Sequence, residues 1–286
     1  TSFFSISYMF LFGAMFGDLG QGFVLLLGGI ILAKAKRNKI LGGLLLRLGL
    51  SSMIFGTLYG AVFGFEDIIP ALLMRPFENI NKVLAGAVVI GIVLILISYI
   101  FGIVNKLKRK DIEEGIFGKD GLVGLLFYIC LLTLIGGKLL GKTILPMETG
   151  VVIILLSIAL MIFKEPLSNL IMGKKPLYNE DISGYYIEGV FSIIETLLSM
   201  LSGTVSFIRV GAFALTHVGL FIAFQTIGEL IGTTAGNIIV LILGNIIIIG
   251  LEGLIVFIQG LRLQYYELFS RYYKGEGKEF NPINIK

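Results

Sequence analysis

Arg209 is the residue of this sequence whose setting most strongly suggests chemistry. It lies inside an apolar stretch, residues 190–228, that also carries Glu195 and His217. An arginine side chain stays protonated in proteins, so it cannot become neutral in an apolar setting. At the centre of a membrane helix a charged side chain costs about 2.5–3.5 kcal/mol on insertion scales. Arg209 therefore needs a partner or a hydrated cavity, and charged residues at such depth commonly mark an ion pathway.

Polar residues around Arg209 repeat every seven positions, which places them on one slowly drifting face of a helix. The members of this stripe are Glu188, Glu195, Ser202, Arg209 and Thr216. Ser206 flanks the stripe, and His217 lies about 80° from Arg209 around the helix. We interpret the stripe as facing protein or a hydrated cavity. Two simpler interpretations remain open: an arginine held by helix carbonyls, and a histidine that only bonds a neighbouring helix.

A second polar stripe with the same spacing lies on the last apolar segment. Its members are Asn245, Glu252, Gln259 and Tyr266. Arg262 lies close to that face, ten residues beyond Glu252. Two neighbouring helices whose stripes carry charges of both signs suggest two facing half-paths for ions. A plain network of salt bridges between the helices is the alternative.

The composition places both stripes in a membrane protein. The 286 residues are 56% hydrophobic and 15% charged, whereas a soluble domain is typically about a quarter charged. The net charge of +4 comes from basic residues in short loops between apolar runs, so it does not indicate nucleic-acid binding. The single Cys130 and the single histidine exclude an internal disulfide and a zinc site, and we expect no metal and no cofactor.

The apolar runs predict an all-α polytopic membrane protein, a single transmembrane domain over residues 1–286. Residues 1–33 form either one span or a helical hairpin that turns near Gly17–Gly22. Asp18, in that region, is either a pathway residue or a carboxylate that stabilises a turn among glycines. Four helices follow, and then two long helices that carry the stripes: 41–65, 82–106, 117–141 and 146–164, then 185–230 and 236–272.

The 185–230 segment is too long for one upright span. About 45 residues make roughly 68 Å of helix, against a hydrocarbon core of about 30 Å. The helix therefore tilts strongly, breaks near Ser202–Gly203, or begins on the membrane surface.

Three glycines lie at four-residue spacing in the 41–65 helix: Gly56, Gly60 and Gly64. Small residues at this spacing let membrane helices approach each other closely. We predict that these glycines pack against a neighbouring helix.

Residues 136–143 satisfy the phosphate-loop pattern G-x-x-x-x-G-K-[ST]. A phosphate loop follows a strand and begins a helix whose N–H groups hold the phosphates. Here an apolar helix precedes the glycines, and Pro146 follows soon after. We therefore expect no nucleotide at this match.

Three segments of the sequence resemble one known family. Residues 206–220, SFIRVGAFALTHVGL, resemble the S-Y-x-R-L-W-A-L-x-L-A-H pattern of subunit a of the V-type rotary ATPases, called subunit I in the A/V-type enzymes. Residues 251–283 resemble the last helix and tail of that subunit, and residues 10–25 resemble its first membrane segment. The family's tryptophan after the arginine is missing, since Gly211 stands in its place.

The resemblance implies the membrane stator subunit of a rotary ATPase. Arg209 would face the rotating ring of proteolipid subunits, with Arg262 as a second arginine. Glu195, Glu252 and His217 would line two half-channels for H⁺ or Na⁺. The remaining stripe residues would belong to the same ion path: Gln259, Ser202, Ser206 and Thr216. ATP chemistry would belong to partner subunits, so this chain would have no catalytic site of its own.

The resemblance also implies features of the whole protein. A cytoplasmic N-terminal domain that binds peripheral-stalk subunits would precede these residues. This favours a hairpin within 1–33 and about eight transmembrane helices in total. The protein would lie in the cell membrane of a prokaryote rather than in an organelle membrane.

A secondary transporter, with a midplane polar site between the last two helices, is the main alternative. Such folds usually contain internal repeats, and the sequence shows none. A purely structural membrane anchor is a third interpretation, and the depth of Arg209 argues against it.

The charges of the loops predict the topology of the chain. Basic residues concentrate in the 34–40, 105–110 and 164–175 loops and in the tail, whereas the 66–81 and 229–237 loops carry few. By the positive-inside rule the first group lies in the cytoplasm. The short 138–148 loop, with Lys138 and Lys142, then falls outside as a mild exception.

Four lysines, one from each basic region, should therefore lie on the cytoplasmic side: Lys36, Lys108, Lys174 and Lys278. Each of them, and Asp67, is replaced by cysteine in a variant that lacks Cys130. A membrane-impermeant thiol reagent added from outside should label only the cysteine at Asp67. Labelling at Lys36 and Lys278 from opposite sides of the membrane would contradict the hairpin.

Overall fold

A computed structural model of the chain describes residues 2–35, 38–66, 68–109, 111–139, 141, 145–172, 182–273 and 275. Across these ranges the chain is helical and forms no strand, although an isolated bridge pairs Val62 with Phe65. The prediction of an all-α protein is confirmed.

Twelve α-helices are described, and we number them in chain order. They are α1 Ser2–Met15, α2 Leu19–Lys34, α3 Lys39–Tyr59, α4 Ile80–Lys108, α5 Leu122–Leu139, α6 Met147–Ile162, α7 Lys164–Met172, α8 Ile182–Ser206, α9 Ile208–Leu230, α10 Thr234–Ile247, α11 Gly253–Leu263 and α12 Ser270–Tyr272. Three π-helical segments accompany them: Glu113–Phe117, Ile248–Glu252 and Gln264–Phe269.

The described chain contains five helical segments that are long and apolar enough to cross a membrane: Lys39–Tyr59, Ile80–Lys108, Glu113–Lys138, Gly184–Leu230 and Thr234–Tyr272. The pair α6 and α7, bent by 71° at its junction, would make a sixth. The apolar helices α1 and α2, of 14 and 16 residues, are too short to join this group. The membrane class is confirmed, and the count of eight spans stays a prediction.

Some predicted features lie outside the described residues. They are the loop residues Lys36, Asp67, Lys142 and Lys174, and the tail from residue 276, which includes Lys278.

The chain divides into two compact units. The first unit comprises Thr1–Ile95 and Leu201–Glu267, and the second comprises Leu96–Met200 and Leu268–Lys286. The first unit contains Arg209, His217 and Glu252, and the second contains Glu195.

In the first unit, α1 and α2 are tied to the last helix by buried side-chain bonds. Gln264 Nε2 donates to Ser7 Oγ at 2.7 Å, and Tyr8 donates its hydroxyl to the carbonyl of Phe257 at 3.1 Å. Gln21 Nε2 donates to Asn245 Oδ1 at 2.9 Å. The two short N-terminal helices thus form part of the same interior as the last helix.

Close packing of α2 on α3 depends on glycines that face each other's backbone. A Cβ at Gly29 would lie 2.6 Å from the backbone nitrogen of Leu46, and one at Gly49 would lie 2.6 Å from that of Leu26. A Cβ at Gly56 would collide with the backbone of Leu19. The predicted packing role is therefore correct for Gly56.

The same prediction is wrong for Gly60, whereas Gly64 packs against α9 from a turn and not from a helix face. The helix ends at Tyr59, and Gly60 is its cap, with a φ of 76° and its N–H bonded to the carbonyl of Gly56. Gly64 has a φ of 82°, and a side chain there would collide with Phe221. Both positions need the left-handed backbone that glycine adopts without strain, so their spacing reflects a turn and not a helix face.

The segment predicted at 185–230 is interrupted at Phe207, between α8 and α9. The N–H of Phe207 bonds the carbonyl of Thr204 at 3.3 Å, three residues back. Phe207 is fully buried, and its ring fills the space where Gly91 of α4 has no side chain. Gly184–Leu230 nevertheless remains one helical segment, so the irregularity at Phe207 is local and lies beyond the predicted position Ser202–Gly203.

In the second unit, α4 holds the end of the last helix. Ser98 donates its hydroxyl to the carbonyl of Leu268 at 2.7 Å, inside the π-helical segment Gln264–Phe269. Arg271 is buried, with its guanidinium 4.6 Å above the ring of Tyr99 and 3.5 Å from Asp120. These contacts satisfy a carbonyl of the irregular turn and fix the helix end.

The glycine contacts predict a difference between two alanine substitutions on α3. Gly49→Ala should destabilise the protein by about 1–3 kcal/mol, because its Cβ would force α2 and α3 apart. Gly43→Ala should be neutral or slightly stabilising, since no atom lies within 4 Å of its Cβ position and alanine favours helix. The measurement is thermal unfolding in detergent, followed by helical circular dichroism. Equal midpoints for the two variants would rule out this packing.

Candidate functional site

Asp18 lies in the turn between α1 and α2 and is fully buried. Its Oδ1 accepts the backbone N–H groups of Gln21 at 2.8 Å and Phe63 at 2.9 Å, and its Oδ2 accepts that of Gly64 at 2.6 Å. The carboxylate therefore caps the first turn of α2 and holds the loop that follows α3. These bonds support the turn-stabilising role of Asp18, and the pathway role stays a prediction.

His217 of α9 and Glu252 of the π-helical segment Ile248–Glu252 form a buried pair. Nδ1 of His217 lies 3.0 Å from Oε2 of Glu252, and Nε2 lies 4.0 Å from Oδ2 of Asp18. The ring of Phe16 packs edge-on against the imidazole, at 4.9 Å between centroids. We call Asp18, His217 and Glu252 the buried cluster, since they are 0%, 2% and 4% exposed.

The buried cluster can hold a proton between two carboxylates. A protonated imidazole there would be a cation flanked by two anions, whereas a neutral one would leave two buried negative charges uncompensated. Nε2 of His217 and Oε1 of Glu252 have no hydrogen-bond partner among the described residues. Such buried atoms commonly mark a place for ordered water or an ion.

Arg209 lies in a different pocket of the first unit, which we call the arginine pocket. This pocket of about 770 Å³ is lined by Ser202, Val205, Ser206, Ile208, Arg209, Arg262, Leu263, Tyr266 and Glu267. Within the described chain, Nη1 of Arg209 is buried and has no hydrogen-bond partner. Arg262 and Glu267 both act electrostatically on Arg209, the first unfavourably and the second favourably.

The stripe on α8 and α9 faces outward, whereas His217 faces inward. Ser202 and Thr216 are exposed, Ser206 and Arg209 are partly buried, and the Thr216 hydroxyl bonds the carbonyl of Ala212 at 2.9 Å. Arg209 and His217 lie about 80° apart around α9. Arg209 is therefore on the outer face of this helix, and His217 is on its inner face.

The residues of the polar stripe on the last helix differ in their burial. Glu252 is buried, Asn245 and Gln259 are half-buried, and Tyr266 is 71% exposed. Arg262 is exposed. A seven-residue spacing holds only in a regular α-helix, and two π-helical segments shift the phase of this one.

Glu195 lies in the second unit, in a pocket of about 630 Å³. Its side chain is 72% exposed and 3.5 Å from Nζ of Lys119. The same pocket is lined by charged residues of both signs: Glu113, Glu114, Glu165, Glu188, Lys119 and Lys164. Lys164 bridges Glu114 at 3.0 Å and Glu113 at 3.9 Å.

Gln21 and Glu267 belong to these sites and were not singled out in the sequence. Gln21 follows Asp18 by three residues, as the first turn of a capped helix requires, but its partner Asn245 is 224 residues away. Glu267 lies five residues beyond Arg262. Its presence in the arginine pocket depends on the phase shift in the Gln264–Phe269 segment, which the sequence spacing does not reveal.

Part of this chain matches a known protein family. Residues 164–285, which carry Arg209, His217 and Glu252, match the model of the V-type ATPase 116kDa subunit family. The A-type ATP synthase subunit I of Saccharolobus solfataricus is 43% identical over 109 residues, 34% of this chain and 15% of that protein. The chain is therefore similar to subunit I of the A/V-type ATPases. The resemblance noted in the sequence is confirmed.

Two further relatives match this chain nearly from end to end. A-type ATP synthase subunit I of Aeropyrum pernix is 24% identical over 342 residues, covering 100% of this chain and 47% of the relative. The protein of the same name from Methanocaldococcus jannaschii is 24% identical over 318 residues, covering 96% and 43%. The chain thus spans less than half the length of these relatives.

The bonds of Asp18 predict an ordered series of stabilities. Asp18→Ala should lower the unfolding midpoint most, because each backbone donor left unpaired costs about 1–3 kcal/mol. Asp18→Asn should lie between alanine and the parent, since its single carbonyl oxygen can still accept the two N–H groups at Oδ1. Asp111→Ala is the control, because Asp111 accepts the backbone N–H of Glu114 at the longer distance of 3.3 Å. Thermal unfolding in detergent measures the series, and an unchanged midpoint for Asp18→Ala would contradict it.

Proposed function

We propose that this chain is the membrane stator part of a rotary A/V-type ATPase. It supplies two half-channels for H⁺ or Na⁺ and the arginine that faces the rotating proteolipid ring. The observation that carries the proposal is the arginine pocket. A permanently charged guanidinium, with one buried and unpartnered nitrogen, opens there onto an exposed apolar surface.

The surroundings of the arginine pocket support one kind of partner. Val205 and Ile208 line it and are 59% and 37% exposed. A surface with exposed apolar side chains and a cation that is only partly compensated fits a partner that is apolar and carries an anion. A ring of membrane helices, each with one carboxylate at mid-depth, has this chemistry.

The charge of Arg209 would do two things at such a contact. It favours the ionised form of each arriving carboxylate, so the bound ion is released. It also opposes direct passage of cations from one half-channel to the other. Ions then cross only while they are bound to the rotating ring. Arg262 and Glu267 in the same pocket set the local field, with Arg209 supplying the fixed charge that contacts the ring.

The two other sites would supply the half-channels. The buried cluster lies inside the first unit and has unpartnered atoms that can bond water. The pocket of Glu195 in the second unit is lined by more carboxylates than lysines, which raises the local concentration of cations. Gln259, Ser202, Ser206 and Thr216 would contribute polar groups along the path.

The relatives suggest the setting of this activity. They are named subunit I of A-type ATP synthases and come from archaea such as Aeropyrum pernix. We place the chain in a prokaryotic cell membrane, with the proteolipid ring and the other ATPase subunits as partners. Nucleotide chemistry would occur on those other subunits, and not at the match in residues 136–143.

Substitution of Arg209 tests the proposal. Arg209→Ala and Arg209→Gln should abolish ATP-driven ion uptake by the complex in vesicles, while the complex still assembles. Arg209→Lys should be badly impaired, because lysine is a compact charge that can deprotonate in an apolar site. Arg262→Gln should retain more uptake, since Arg262 is the more exposed of the two arginines.

Arg47→Gln is the matched control, because Arg47 is an exposed arginine on α3 and should be replaceable without loss of uptake. A structural arginine gives the opposite pattern. Arg209→Gln would then reduce the yield of assembled complex, and the complex that formed would still pump. Substantial uptake by Arg209→Ala would refute the stator proposal.

A further inference from the structure

We infer that Gln21 and Asn245 form an uncharged station of the ion path beside the buried cluster. The pair would bind a water molecule that hydrates or carries the cation, without exchanging a proton itself. This inference rests on the proposed function, because it assigns a role within the same ion path.

The geometry fixes Gln21 at both ends. It is fully buried in the first turn of α2, and its backbone N–H donates to Oδ1 of Asp18 at 2.8 Å. Its side-chain nitrogen donates to Oδ1 of Asn245 at 2.9 Å. Asn245 in turn donates to the carbonyl of Leu241 at 3.0 Å, which orients its oxygen toward Gln21. The pair therefore has one arrangement, and it adjoins the buried cluster through Asp18.

This arrangement leaves Oε1 of Gln21 buried and without a hydrogen-bond partner in the described chain. A buried acceptor of this kind destabilises the protein unless a donor reaches it. The pocket beside Asn245 is lined by apolar side chains such as Val24, Phe63 and Leu241, which offer no donor. Water is the donor that usually satisfies such a group.

The unpartnered atoms of this region form a set. Besides Oε1 of Gln21, they include Nε2 of His217 and Oε1 of Glu252. Asn245 precedes Glu252 on the last helix by seven residues, about 10 Å along the axis. Water bound to Gln21 would thus lie between the turn of Asn245 and the carboxylates of the buried cluster, on the way to them.

An amide suits such a place for a chemical reason. Neither glutamine nor asparagine gains or loses a proton, so the pair cannot trap the ion as a carboxylate does. A carbonyl oxygen can orient water or contact a cation directly, and it keeps the site polar without adding charge to Asp18 and Glu252. The pair would therefore keep the part of the ion path that leads to the buried cluster hydrated.

If the pair is purely structural, it only joins α2 to α10. The structural role and the water-binding role predict opposite orders of ion uptake for two substitutions of Gln21. Gln21→Met keeps the side-chain volume and removes both polar atoms. Gln21→Ala removes the volume and leaves space that water can enter beside Asn245. A packing role tolerates methionine better, because a cavity costs more than a volume-conserving exchange. A water-binding role tolerates alanine better.

The experiment measures ATP-driven ion uptake by the assembled complex in vesicles, together with its thermal stability. Gln21→Met should reduce uptake about tenfold or more, which corresponds to a barrier increase of about 1.4 kcal/mol. Gln21→Ala should keep uptake within a few-fold of the parent, although its complex is the less stable of the two. The control is Gln225→Met on α9, a partly exposed glutamine that bonds Glu229 at 3.2 Å and should leave uptake unchanged.

Asn245 provides the second pair of variants, so the inference stays testable if a Gln21 variant fails to assemble. Asn245→Leu should impair uptake more than Asn245→Ala. Asn245→Leu combined with Gln21→Met should be no worse than either alone, because the two residues act as one unit.

Uptake at the parent rate by assembled Gln21→Met, or a smaller loss for methionine than for alanine, would overturn the inference. Arg209→Ala measured in the same vesicles separates the two proposals. If Arg209→Ala is inactive while Gln21→Met pumps normally, the amide station is wrong and the stator function stands. If Arg209→Ala pumps, the stator function itself is wrong.

Discussion

The carboxylate of Asp18 joins parts of the first unit that are distant in sequence. Its three backbone N–H bonds fix the start of α2 through Gln21 and the loop after α3 through Phe63 and Gly64. That loop in turn packs against Phe221 of α9, four residues beyond His217. A carboxylate that caps a helix and a loop at once is rigid, because three donors hold it. The position of His217, 4.0 Å away, therefore rests on a backbone scaffold and not on flexible side chains.

The charged groups of the first unit are arranged in two different ways. Inside, an imidazole stands between two carboxylates, so opposite charges compensate each other where water is scarce. On the outer face, the nearest groups leave Arg209 only partly compensated, since Arg262 opposes the favourable effect of Glu267. A protein tolerates an incompletely paired charge at a surface that a partner covers better than in its core. This contrast is why we propose a half-channel in the interior and ion release at the outer face.

The sequence predicted much of this and missed the rest for definable reasons. Arg209 stands out because its charge is permanent and its neighbours are apolar. A seven-residue spacing identifies a helix face, but it does not say whether that face is inside, and it fails where π-helical turns interrupt the last helix. The irregular residue Phe207 packs against Gly91, more than a hundred residues earlier. The pairing of Gln21 with Asn245 likewise depends on tertiary contact, which local periodicity cannot carry.

The π-helical turns of the last helix have a consequence for how this subunit can vary. A bond from residue i to i+5 encloses one residue more than an α-helical bond, so each turn amounts to a stored insertion. Removing that residue would convert the turn to α-helix and leave the faces beyond it in place. The same deletion in an α-helical turn would rotate everything beyond it by roughly 100° and exchange an inner face for an outer one. Changes of one residue in the length of this helix are therefore absorbed within Ile248–Glu252 or Gln264–Phe269 and not elsewhere.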